Sequence, residues 1–242
     1  LVERSHNANL RVIIDFVPNH VAREYHSTCK PKGVEDLGAT DNPAWAFSPL
    51  NNFYYIHEAF APQFDMQGYS ENPARATGND CFTAHPGKDD WYETIKLNYG
   101  VFYQNGGEQQ FDPIPNTWYK MRDILLFWAS KGIDGFRCDM AEMVPQAFWA
   151  WAITQVKEQY PDILFIAEVY NPDLYRSYIA AGFDYLYDKV GMYDYLRGVT
   201  SKNWAAEGIT QQWQAVDDIR KHMLYFLENH DEQRIASGFF CG

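Results

Sequence analysis

An α/β fold made of parallel βα units is predicted for this 242-residue chain by three observations. Short apolar runs rich in β-branched and aromatic residues recur along it. Segments with helical spacing, opened by proline and closed by glycine or proline, lie between several of them. In three of the runs an acidic residue falls at or just past the carboxyl end. Strand and helix in alternation give a parallel sheet, because a parallel connection needs a crossover long enough to hold a helix.

The first strand is Leu10 to Val17 (LRVIIDFV), stopped by Pro18. Four more follow at Ile133 to Asp139 (IDGFRCD), Ile163 to Val169 (ILFIAEV), Phe183 to Tyr187 (FDYLY) and Met223 to Leu227 (MLYFL). Near-continuous apolar runs of this length fit strands covered on both faces. Helices are predicted over Pro115 to Lys131, before Gly132; over Pro145 to Tyr160, before Pro161; and over Pro172 to Ala181, before Gly182. Proline fits the first turn of a helix, and glycine or proline fits its end. Residues 21 to 112 break the rhythm with three asparagine-centred turns, at Asp41-Asn42-Pro43, Glu71-Asn72-Pro73 and Gly78-Asn79-Asp80, and no long amphipathic stretch. So long a structureless loop does not occur in a compact domain, so this stretch is read as an inserted subdomain of short strands and loops.

Hydrophobic residues make up 46% of the chain and aromatics 17%, enough for a sizeable core and too much for a disordered chain. The formal charge of -12 repels polyphosphates, which argues against a nucleic-acid or anionic-membrane partner. No apolar run approaches the roughly 20 residues of a membrane span. The opening LVERSHNANL is charged where a secretion signal would be apolar, so the compartment is not readable there. Cys29, Cys81, Cys138 and Cys241 are too few for a disulfide framework. A Cys29–Cys81 bridge is conceivable, but buried or free thiols are the preferred reading.

Asp139 follows GFRC, Glu168 sits in FIAEVY and Asp231 in FLENHD, each at or just past a strand's carboxyl end. Carboxylates beside buried strands are costly unless paired or used, so three in equivalent places point to a common site. Strand alternation puts Arg137 and Asp139 on one face, and a guanidinium there favours the ionised carboxylate that a nucleophile requires. Glu168 follows Phe165, Ile166 and Ala167 and would share its pocket with other acids, surroundings that suit a proton donor. An acid and a nucleophile of this kind are the pair that cleaves glycosidic bonds. Asp231 would bind hydroxyls and stabilise positive charge at the reacting carbon. His20 and His230 each follow an asparagine at a strand end and are candidates for sugar contacts. Asp15 alternates with Val17 and Asn19, and either anchors Arg137 or touches a ligand.

These segments resemble the α-amylase family of glycoside hydrolases. DFVPNH (Asp15 to His20), GFRCDMA (Gly135 to Ala141), Glu168 of IAEVY, and ENHD (Glu228 to Asp231) are similar, in order, to its four hallmark segments. The resemblance implies a (β/α)8 TIM barrel, here incomplete, with domain B inserted after the third strand. Residues 1–20 and 113–242 would form the partial barrel and 21–112 domain B. It also implies a retaining enzyme acting on starch-like α-glucans or maltooligosaccharides. Asp139 would be the nucleophile, Glu168 the general acid/base and Asp231 the transition-state stabiliser. Arg137, His20, His230, Arg234 and Asp15 would surround the sugar. No cofactor is required for the chemistry.

Two departures qualify the resemblance. Calcium-dependent members carry an LPDL-type segment, but its counterpart here, Ile95-Lys96-Leu97-Asn98, has a lysine in place of the aspartate. Asn19 is then the remaining side-chain ligand and calcium is doubtful. The first two strands and the eighth have no counterpart, so the chain reads as an internal piece of a longer protein. Within the family, a transglycosylase or an oligo-α-glucosidase shares the same acids. Outside it, the rivals are a metal-dependent barrel enzyme using Asp139, Glu168 and Asp231 as ligands, which Arg137 argues against, and a non-catalytic carbohydrate-binding protein. The aromatics Trp45, Phe47, Phe53, Tyr54, Tyr55, Phe60, Phe64 and Tyr69 are read chiefly as the insert's own core, with sugar stacking as the alternative.

Overall fold

The computed structural model describes residues 1–238 and falls into two compact units. One comprises Leu1–Phe16 and the chain from Lys131 onward; the other is Val17–Ser130. Cys241 lies outside the described residues.

The first unit holds a five-stranded sheet of Ile13–Phe16, Gly135–Cys138, Leu164–Ala167, Tyr185–Tyr187 and Met223–Leu224. The strands lie side by side in sequence order, and every neighbouring pair is parallel. That order means each crossover returns to the next position along the sheet, as in the wall of a (β/α) barrel, whereas a doubly wound sheet reverses its order. All five strands predicted from sequence are present. Each is shorter than its apolar run, because the apolar residues continue into the loops.

The Gly135–Cys138 strand is buried throughout, as a central parallel strand must be. Phe16, Phe136 and Phe165 on adjacent strands form an aromatic row, with ring centroids 6.0 and 5.4 Å apart. The helix Gln146–Gln159 packs on this row through Phe148, Trp149, Ala152, Ile153 and Val156, the spacing of one helical face. Pro145 caps it, and Trp149 donates its indole N–H to the Ala141 carbonyl at 3.0 Å. At the next turn Gly182 has φ +113°, and a Cβ there would come within 2.9 Å of Ile153. The stretch predicted as one helix from Pro172 divides into a 3-10 turn, Pro172–Leu174, and a short α-helix, Tyr175–Ala180. A π-helical turn (Lys189–Tyr193) and two helices (Asp194–Ser201 and Gly208–Ala215) fill the stretch before the last strand, where no periodicity announced them.

The second unit is built of short strands and loops, with one long helix, Asn116–Ala129, capped by Pro115. Its antiparallel pairs are His20–Ala22 with Thr94–Lys96, Tyr55–Ile56 with Ala74–Arg75, and Val101–Phe102 with Glu108–Gln109. Phe53, Tyr54, Tyr55 and Phe60 are buried in it, so the core reading of its aromatics holds for these four; Trp45 is half exposed. Cys29, Cys81 and Cys138 are free thiols. Among the described residues no helix is long and apolar enough to cross a membrane.

Candidate active site

The carboxyl ends of the first three sheet strands bring three acidic side chains together around Arg137. Asp15 and Arg137 are register partners on adjacent strands, so their side chains leave the same face of the sheet. Asp139 follows the second strand directly, and its amide donates to the Phe16 carbonyl at 2.9 Å. Glu168 follows the third strand, and its amide donates to the Cys138 carbonyl at 3.1 Å, which continues the parallel ladder by one residue.

The Arg137 guanidinium serves three acids. Nη1 donates to Asp15 Oδ1 at 3.0 Å and to Asp139 Oδ1 at 2.5 Å, while Nη2 lies 2.9 Å from Glu168 Oε1 as an ion pair. Sequence alternation offered Arg137 the partners Asp139 and Asp15, and the second terminal nitrogen of the fork adds Glu168. Asp15 contacts Arg137, one of the two roles its place on the strand allowed. Burial disfavours the Arg137 charge, but the carboxylates of Glu168, Asp139 and Asp15 more than offset it, so the guanidinium is held above its ordinary value. Its Cζ lies 5.8 Å from the centroid of the Tyr187 ring, which adds a cation–π contact.

Glu168 is only 2% exposed, and both of its oxygens are engaged. Oε2 accepts from the Met140 amide at 2.9 Å, and Oε1 accepts from the Tyr170 hydroxyl at 2.9 Å. Met140 adopts φ +45°. A left-handed backbone at a residue other than glycine is uncommon and marks a constrained turn. Here it immediately follows Asp139 and aims its N–H at Glu168, so the two carboxyls are joined through one backbone step as well as through Arg137. Burial pushes the Tyr170 phenol above its ordinary value, and the charges of Glu168 and Asp231 push it further. Tyr170 therefore remains a hydrogen-bond donor to Glu168 throughout the neutral range.

Asp231 lies in a loop closed by its own residues. Its amide donates to Asn229 Oδ1 at 3.0 Å, and Glu228 accepts from the Ile235 amide at 2.8 Å and from Arg234 at 2.6 Å. His230 Nε2 is 3.2 Å from Asp231 Oδ2. The Asp231 side chain is 53% exposed, in contrast to Glu168.

Asn19 and His20 belong to the second unit. Asn19 is buried, donates to the Gly78 carbonyl at 2.7 Å and accepts from Lys96 Nζ at 2.9 Å. The buried Lys96 ammonium also pairs with Asp80 Oδ1 at 2.5 Å. His20 rests edge-on against Trp91, with centroids 5.4 Å apart. A calcium ion sharing these oxygens would meet an ammonium among its ligands, so the donor set does not fit that cation. Among the described residues no group of three or more His, Cys, Asp or Glu side chains is placed to hold a metal ion.

Sequence reasoning missed Tyr170 and Met140. Tyr170 was within reach, since it lies two residues past Glu168 and alternation puts it on the same face. Nothing in a methionine signals a left-handed backbone.

The description "alpha amylase, catalytic domain" fits a family model that matches residues 1–240. Among curated relatives, an alpha-1,4-glucan:maltose-1-phosphate maltosyltransferase from Cereibacter sphaeroides is 34% identical over 136 residues, covering 53% of this chain and 21% of the relative. The enzyme of that name from Chlorobaculum tepidum is 27% identical over 164 residues, covering 62% and 24%. The fold is similar to that of an alpha-amylase from Lactobacillus plantarum, with a TM-score of 0.59 and 24% identity, covering 97% of this chain and 46% of that one. It is also similar to that of a cyclic alpha-maltosyl-(1→6)-maltose hydrolase from Arthrobacter globiformis, with a TM-score of 0.64 and 19% identity over the same shares. The chain thus spans about a fifth of the curated relatives' length and less than half of the solved ones.

Proposed function

The chain belongs to the α-amylase family, and on that premise we propose that it carries the catalytic centre of a retaining enzyme acting on α-glucans. The observation that carries this reading is the single guanidinium shared by Asp139 and the buried Glu168. One fork gathers the two carboxyls into a single site, which supports pairing a nucleophile with an acid/base, and retention follows the family resemblance.

In the first step an Asp139 oxygen attacks the anomeric carbon. The bond to the leaving oxygen breaks and that oxygen takes the proton from Glu168. In the second, Glu168 as carboxylate removes a proton from an acceptor hydroxyl. The acceptor oxygen bonds to the anomeric carbon and Asp139 leaves, so two inversions give retention. Asp231 stabilises the positive charge that develops on the sugar. Tyr170 and the Met140 amide orient Glu168, and Asp15 holds Arg137 in place. His20, His230 and Arg234 are assigned to sugar hydroxyls on the family resemblance. The chemistry as proposed requires no cofactor, and Lys96, which stands where calcium-dependent members carry the aspartate, places its positive charge between Asn19 and Asp80.

The name shared by the curated relatives favours a second reading, in which the acceptor is a sugar hydroxyl and the product is a transferred maltosyl unit. Incubating the full-length protein with a defined maltooligosaccharide, with and without maltose 1-phosphate, separates the two. Shortened products alone indicate hydrolysis, and lengthened ones transfer. Asp139→Asn is expected to lower turnover at least about a thousandfold. A variant that keeps most of its activity would overturn the assignment.

A further inference from the structure

The carboxylate directly after Asp231 is held by a set of side chains that the proposed chemistry does not use. The Tyr185–Tyr187 strand runs into the π-helical turn Lys189–Tyr193, in which the Tyr193 amide donates to the Asp188 carbonyl at 3.1 Å, five residues back. A π turn is rare and tends to be found at functional positions. Here it places Lys189 and Tyr193 around Glu232. Lys189 Nζ is 2.9 Å from Glu232 Oε1, and the Tyr193 hydroxyl donates to Oε2 at 2.9 Å. Arg197, one helical turn further on, stands 3.7 Å from Oε2. Lys189 is fixed in turn by Asp194 at 2.8 Å. The side chains of Lys189 and Glu232 are each only 14% exposed, so the pair is withdrawn from water while Asp231 beside it is open.

Lys189 also faces the catalytic cluster. Its ammonium lies 5.9 Å from the centroid of the Tyr170 ring, and the Tyr170 hydroxyl donates to Glu168. One lysine thus sits between the segment that carries Asp231 and the tyrosine that holds the buried acid. The local bonds of the Asp231 loop close it upon itself, through Glu228 with Arg234 and Ile235. The bonds of Glu232 fasten it to the crossover that precedes the last strand.

We propose that Lys189 and Glu232 are positioning residues that set where Asp231 stands relative to Glu168, a role that rests on the retaining-enzyme reading above. Burial opposes the Glu232 charge, yet Lys189, Tyr193 and Arg197 hold its carboxyl below the usual range, as a permanently ionised anchor requires.

The test is a kinetic double-mutant cycle in the full-length protein on a maltooligosaccharide, with melting temperature measured alongside. Glu232→Gln is expected to lower kcat roughly tenfold to a hundredfold with KM little changed, since small misplacements of a group acting in the transition state carry losses of that size. Lys189→Met should do the same, and Lys189→Arg should recover part of it. In an Asp231→Asn background Glu232→Gln should add less than about a twofold further loss, because residues that act through one another are not additive. Unchanged kcat in Glu232→Gln would overturn the clamp. So would a full multiplicative loss in the Asp231→Asn background, which is what a merely structural ion pair gives. Should Glu232→Gln fail to fold, Tyr193→Phe removes one hydrogen bond from Glu232, and the same two outcomes apply at smaller amplitude. A silent Asp231→Asn alone would instead remove the role assigned to Asp231, and the clamp with it.

Discussion

Two buried cations, one in each compact unit, differ in how their charge is secured. Arg137 has three carboxylates and a cation–π partner, and its charge is strengthened despite burial. Lys96 also has a ring beside it, Tyr103 at 5.1 Å, but only one carboxylate, Asp80, and one amide oxygen, Asn19, and burial pulls its pKa below the ordinary value in spite of Asp80. The number of opposing charges decides the difference. A low-dielectric site destabilises an ion by several kcal/mol, and only a surplus of close countercharge reverses the sign. Arg137 is therefore a fixed charge on which a reaction can be built. Lys96 carries a charge that depends on conditions.

Removing each cation breaks the comparison open. Arg137→Met removes the partner shared by Asp15, Asp139 and the buried Glu168, so a loss of about 3–5 kcal/mol is expected in denaturant unfolding. Lys96→Met leaves a smaller debt. Asp80 is 39% exposed and can be rehydrated, and the Asn19 oxygen is the one group left without its donor. About 1–3 kcal/mol is expected, measured in the same way. Equal losses for the two variants would show that countercharge number is not what separates them.

Titration sharpens the same contrast. The folded-state pKa of Lys96 is lowered, so between that value and the roughly 10.4 of an unfolded lysine the unfolded chain holds the extra proton. Stability referable to Lys96 should therefore rise as pH climbs through that window, and the penalty should be constant below it. Unfolding midpoints of the natural protein compared with Lys96→Met, from pH 7 to 10, should diverge in favour of the natural protein as pH rises. The Arg137 pKa is raised from an ordinary value already far above this range, so its contribution is fully present throughout it. The comparison with Arg137→Met should show no slope there. A slope in the Arg137 series, or its absence in the Lys96 series, would reverse the assignment of fixed and conditional charge.

The parallel sheet was legible because apolar runs and Pro–Gly punctuation report burial and crossover directly, and Arg137 with Asp139 was legible because alternation is strict along a strand. Partners across strands were not. Alternation left Asp15 between Arg137 and a ligand because the choice depends on register, and the pairing of Glu168 with the second nitrogen depends on the third strand's height, neither of which is written locally. The π turn at Lys189 and the two eight-residue helices after it were invisible because two turns of helix give periodicity too little length to show. Tyr170 alone was a missed opportunity.

The left-handed step at Met140 has a bearing on protein engineering. The loop that follows Asp139 is bonded to Glu168 at two points, through the amides of Met140 and Ala141. A chimera that replaces residues 139–141 with a segment of other backbone shape, while keeping 168–170, would tear that joint even if both acids were retained. The two stretches form one transplantable module, so loop-swapping libraries should carry them together and place their crossover points elsewhere.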